Sequence, residues 1–277
     1  MPTSPETLAL IEAYRQTTVE LREQFIREFA ALWPGAAALA TPGPARQQWL
    51  ELLVALVERW RPVFHSLALE TYRAQAEADT GAVPAFLLAG GAGLALPDLD
   101  LDELVAAMVV LVFAPLGREA AREQGEPRRE RVTTRETRVF EQAAESTARI
   151  TVNAGRQAQE RAVRQDRLAL GWMRITDSDP CAFCLMLASR GPVYKTAQTA
   201  GFVLDPVRGE INRYHDNCAC QVVPVFTKDP VLPESTQRAE ATYEQAQREA
   251  RQAGELRRDT SNDALNALRR FMASPAV

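Results

Sequence analysis

Lysine is almost missing from this chain: of 32 basic residues only Lys195 and Lys228 are lysines, and the others are arginines. Paired with abundant alanine, that bias marks a high-GC coding sequence and says little about binding. The formal net charge is -4, which gives no hint of general nucleic-acid binding, because such a domain carries a basic surplus, and makes a packaging-associated DNA binder the least favoured class. No long hydrophobic run is present; the longest, Leu104 to Leu116, is too short to span a bilayer. No basic-then-apolar leader opens the chain, so secretion is not expected. A reduced compartment would then favour metal ligation over disulfide formation. There is no Gly-x-Gly-x-x-Gly, no Walker-type loop and no His-Glu-x-x-His, so nothing marks a nucleotide-binding or zinc-peptidase site. Histidine is limited to His65 and His215, and no cysteine precedes Cys181.

What is present suits a globular chain. Its 277 residues, 46% hydrophobic and 25% charged, suffice for one large domain or two smaller ones with proper cores. Residues 4 to 33 read as a helix, with Ser4 as N-cap, Pro5 at the first position and an apolar stripe through Tyr14, Phe25 and Phe29. A second helix is expected from Ala45 to about Ala78, kinked by Pro62, with Trp60 and Phe64 inward and His65 as a packing residue. Asp98 or Asp100 caps a third helix reaching about Glu123. Its middle, Ala106 to Ala114, is apolar on nearly every side and so reads as the buried centre of a bundle. A fourth, about Thr133 to Asp166, carries Ala144, Ala154, Ala158 and Ala162, small enough to admit a neighbouring helix closely. Residues 118 to 138 hold seven arginines and five glutamates, read as a solvated helix face more readily than as a phosphate-contacting strip.

From Leu168 the pattern changes. Trp172 to Ile175 reads as a strand, and Asp179-Pro180 as the cap and first residue of a short helix that places Cys181 and Cys184 in its first turn. Ala197 to Gly201 reads as a further helical turn. Phe202-Val203 and Ile211 to Tyr214 form a hairpin, and Gln221 to Phe226 completes a small sheet. Ser235 to Arg251 and Asp263 to Met272 are polar helices, forming a tail that either docks on another protein or packs back on its own domain.

Chemistry concentrates in one stretch. Cys181-x-x-Cys184 is followed, thirty residues on, by His215-x-x-Cys218-x-Cys220. Two thiolates at that spacing plus a distant His/Cys pair can complete the tetrahedral shell of zinc, with Cys218 or Cys220 as the fourth ligand. Buried packing cysteines, one disulfide, or a reactive Cys/His pair remain open alternatives. A zinc deaminase is excluded, because His65-Ser66-Leu67 lacks the required glutamate and His215 lies after the cysteine pair. A module of about 55 residues with so little regular structure is marginal alone, which is a physical reason to expect a staple.

The run Asp179-Pro180-Cys181-Ala-Phe-Cys184 through Gly191-Pro-Val-Tyr194, with Tyr214-His215-Asp-Asn-Cys218-Ala-Cys220 and Val223-Pro-Val-Phe226, resembles tailed-phage minor head proteins related to the F protein of phage Mu, in the form common in actinobacterial phages. The resemblance spans roughly residues 135 to 226. It implies head morphogenesis without catalysis. A few copies per virion would lie inside the capsid near the portal, contacting portal protein and major capsid or scaffolding protein, with packaged DNA as a further contact and no membrane. Taken together, the expectation is a mainly α protein: an N-terminal helical bundle (1–132), a small α+β module (133–229) in which Cys181, Cys184, His215, Cys218 and Cys220 hold a structural zinc, and a helical C-terminal tail (230–277). The alternative class is a Cys/His-dependent enzyme or toxin-like domain packaged in the virion.

Overall fold

The computed structural model describes residues 4–89, 93–122, 129–177, 179–193, 202–205, 209–212, 219–256 and 261–273. Helix α1 (Pro5–Leu32) starts where Ser4 Oγ accepts the Thr7 N–H at 3.0 Å. A short α2 (Ala36–Ala40) leads into α3 (Pro44–Thr80), which runs through Pro62 without a break, and α4 (Ala85–Leu88) follows. Helix α5 (Leu101–Met108) is capped by Asp100, whose carboxylate accepts the Glu103 N–H at 2.9 Å. It continues through a π-helical turn (Val109–Phe113) into α6 (Ala114–Arg122). Helix α7 runs over 37 residues (Arg129–Gln165). The protein is therefore mainly helical, as expected.

Helices α1, α3 and α7 form the bundle, and α3 against α7 is its tightest pair. Small residues explain the approach. Ala144, Ala148, Ala158 and Ala162 on α7 are buried, and a Cβ added at Gly155 would lie 2.7 Å from the Phe64 carbonyl oxygen of α3. Below this contact Phe29, Trp33, Trp49, Phe113 and Phe140 interlock edge-on and tilted, with centroids 5.4 to 6.2 Å apart. Such geometry adds to the area buried by each ring. The expected boundary near residue 133 falls inside α7, whose later turns stay packed on α3.

The helix expected at the bundle centre is not there. Leu104, Met108, Val112 and Leu116 do face the core, but Leu101, Val105, Val109 and Val110 on the same helix are exposed. The small-residue contact puts α3 and α7 at the centre, leaving α5 on the rim with one apolar face outward.

Strand β1 (Gly171–Ile175) pairs antiparallel with β4 (Gln221–Val225), Met173 opposite Val223, and every residue of both is buried. Strands β2 (Phe202–Asp205) and β3 (Gly209–Asn212) form a separate hairpin, so the single small sheet expected from sequence resolves into two ribbons. Between the first two strands lies α8 (Ala182–Ala188), closed by Gly191 at φ 60°. Glycine occupies that left-handed position without steric cost. Helices α9 (Glu234–Gln252) and α10 (Ser261–Ala273) pack back on α8, the second of the two courses open to the tail. The helical turn expected at Ala197 to Gly201 lies outside the described residues.

The β1–β4 ribbon separates two cores by simple alternation. Met173, Ile175, Val223 and Val225 face the bundle, against Ile11, Tyr14, Ala68 and Ala158. Trp172 and Val222 face the other way, against Leu185, Met186, Ala239, Ala246 and Leu268.

His65 sits half-buried, its Nε2 2.8 Å from the Leu94 carbonyl oxygen. Burial holds its pKa below the ordinary 6.5, with the Arg161 and Arg61 charges acting in the same direction and the Leu94 bond opposing them. The unfolded chain therefore takes up this proton first as pH falls. The stabilising contribution of neutral His65 is complete above about pH 6.5 and is lost below it. His65→Gln is expected to flatten the fall in melting temperature between neutral and mildly acidic pH; an unchanged slope would contradict this assignment. Gly155→Ala should destabilise by about 1–3 kcal/mol in urea unfolding, because the α3 backbone must move to admit the methyl.

Candidate functional site

Cys181, Cys184 and Cys220 fall on the outward face of the ribbon, with Trp172 and Val222. Cys181 is the N-cap of α8: its Sγ accepts the Cys184 N–H at 3.3 Å. The cap therefore lies two residues later than the Asp179-Pro180 signal suggests, since the Cys181 thiol reaches the open N–H and residues 179–180 precede the helix. Cys184 is fully buried, and Cys220, just before β4, is buried in the same apolar cluster with Trp172 and Leu185. The structure thus brings three of the five called residues into one cluster. His215 and Cys218 lie outside the described residues. Among the described residues no three His, Cys, Asp or Glu side chains are grouped so as to hold a metal ion.

What joins the two halves of the motif is a set of polar residues that the motif itself does not contain. Arg174, on β1 and 0% exposed, places Nη2 3.2 Å from Cys184 Sγ. Asp177, two residues past β1, accepts the Ala219 N–H on Oδ2 at 2.9 Å. From below, the buried Arg156 of α7 donates through Nη2 to the Cys220 carbonyl oxygen at 2.9 Å and through Nη1 to Asn153 Oδ1 at 2.8 Å. Tyr14 of α1 reaches Gln221 Oε1 at 3.3 Å. The segment around Cys220 is held from three directions. Strand parity carried part of this signal: Arg174 shares a ribbon face with Trp172, the face that turns out to be covered.

Beside Cys184's helix lies an open cleft of about 440 Å³ bordered by Arg15, Thr176, Asp177, Pro180, Leu185 and Arg238, among others. Its arginines already have carboxylate partners. Arg15 bonds Glu12, which holds the Glu12 carboxyl below its usual range and raises the Arg15 pKa, and Arg238 pairs with Glu234 at 3.0 Å.

A family model described as VG15 protein matches residues 117–268, 152 of the 277 residues and hence more than half. The chain belongs to the VG15 protein family. The matched stretch takes in α7, the ribbon, the cysteine helix and the α9–α10 cover up to Leu268, which is the outer core just described together with the helix beneath it. Among curated proteins, the chain is 33% identical over 154 residues to "Gene 15 protein" of Mycobacterium phage D29, covering 45% of this chain and 56% of that one. It is 31% identical over 154 residues to "Gene 15 protein" of Mycobacterium phage L5, covering 40% and 51%. This chain spans about half the length of those relatives. Both are phage proteins, and this is a phage protein of the VG15 family. No solved structure matches the chain. No described helix is long and apolar enough to cross a membrane.

Removing the Asp177 carboxylate leaves the Ala219 N–H without that acceptor. Asp177→Ala is expected to lower stability by about 1–3 kcal/mol, read from the urea midpoint. A midpoint equal to wild type would show that this bond does not hold the two cysteine segments together.

Proposed function

We propose that this chain is a minor capsid protein with a structural and assembly role in head morphogenesis, inside the phage head near the portal. The observation that carries the reading is the burial of Cys184 and Cys220 in a cluster tied to both strands of the ribbon, within the region matched by the phage family. Thiols closed off in an apolar core suit a staple better than a nucleophile, which must meet its substrate. The motif's likeness to Mu F-type head proteins supplies the morphogenesis part of the proposal, and with it the partners: portal protein together with major capsid or scaffolding protein, in several copies per virion. Contact with packaged DNA would be incidental, given a net charge of -4.

The staple in this proposal is zinc, held by four of Cys181, Cys184, His215, Cys218 and Cys220. Sulfur-rich donors suit that ion, and a closed four-ligand shell supplies folding free energy without catalysis. Arg174 then acts from outside the shell, donating to the Cys184 sulfur and so fixing its direction.

Two experiments test these statements. An amber mutation in the gene of the parent phage should give defective heads by electron microscopy, and peptides of the chain should appear in purified wild-type virions. Normal heads together with virions lacking the chain would overturn the assembly role. Elemental analysis of the reduced, purified protein should find about one zinc per chain. Metal-free protein that melts like the metal-loaded form would remove zinc from the account while leaving the assembly role standing.

A further inference from the structure

Among the described residues, the apolar face of α5 and its π-helical turn is left exposed. Val110 is 66% exposed and Val109 46%, with Leu101 and Val105 beside them. Contiguous exposed valine and leucine on a helix signal an interaction surface. The family match begins at residue 117, so the apolar part of this surface, Leu101 to Val110, lies outside it.

The pattern along the helix says what covers it. In four-residue steps through Val110 the ridge reads Asp102, Ala106, Val110, Ala114, Arg118. It is symmetric about Val110: a small residue one step away on each side, then a charge two steps away, acidic towards the N-terminus and basic towards the C-terminus. Asp102 and Arg118 are exposed, and neither forms an ion pair or side-chain hydrogen bond among the described residues. In an α-helix a ridge of four-residue steps drifts around the axis. The wider π turn at Val109–Phe113 counters that drift where the ridge passes Val110 and Ala114.

We infer that this ridge pairs with the same ridge of a second copy of the chain, antiparallel about a two-fold axis at Val110. A two-fold contact is self-complementary by construction, and this ridge has the required symmetry. Val110 meets Val110, Ala106 faces Ala114 of the other copy and lets the helices approach, and Asp102 stands opposite Arg118 of the other copy at both ends. A strip one helix wide buries well under the roughly 800 Å² per partner of a standard interface, so the dimer is expected to be weak and concentration-dependent.

Sedimentation velocity of the full chain from about 1 µM to about 200 µM tests this. Wild type is expected to pass from monomer to dimer across that range. Val110→Glu is expected to stay monomeric throughout with an unchanged melting temperature, because Val110 makes no core contact. Asp102→Arg should weaken the dimer about tenfold, and Asp102→Arg combined with Arg118→Asp should restore it. A wild type that remains monomeric, or a dimer indifferent to Val110→Glu, overturns the inference and leaves the strip to a different protein. A dimer lost in Asp102→Arg but not restored by the exchange overturns the antiparallel pairing.

Discussion

The β1–β4 ribbon is the constraint on which the rest of the molecule depends. Two strands of five residues, buried on both faces, cannot stand in water: each face needs a separate apolar cover. The α1–α3–α7 bundle covers one and the α8–α9–α10 layer covers the other. Alternation along ten residues therefore sets the position of every helix outside the aromatic end of the bundle. A register slip of one residue would exchange the faces, sending Arg174 towards Ile11 and Ala158 and turning Met173 towards the cysteine helix.

Polar bonds guard that register. Arg156 and Tyr14 reach up from the bundle to the start of β4, while Asp177 and Arg174 reach across from the end of β1. Buried charge is costly unless its donors are directed, and here it is spent at the points where the two halves of the cysteine motif meet. Family membership follows the same physical unit. The match takes in the outer core and the α7 helix on which it rests, while α1 and α3 supply the lower cover from the unmatched part of the chain.

The helices were largely legible because their signals are local. Ser4 and Asp100 cap as read, and the apolar spacing of α1, α3 and α7 places their buried faces. The small residues of α7 announced a close neighbour, and α3 is that neighbour. Less legible was anything decided by competition between distant parts. Val109 and Val110 read as core because hydrophobicity does not say which of several apolar helices wins the centre. The pairing of β1 with β4 spans about fifty residues and leaves no local trace beyond two apolar runs. The Cys181 cap was hidden by a stronger conventional signal at Asp179-Pro180. At the candidate site the cysteines stood out by type and spacing. Arg174, Asp177 and Arg156 did not, since a buried arginine looks like any other arginine until its cover is known.

If the ribbon is the organising element, its amides must open only when the whole protein opens. Native-state hydrogen exchange read residue by residue measures this directly. The account predicts that the amides of Met173, Ile175 and Val223 fall in the slowest class, exchanging with the free energy of global unfolding and together with the α3–α7 interface. Exchange of those amides in a faster, separate class, with the bundle still protected, would contradict it and make the ribbon a lodger on an independently stable bundle.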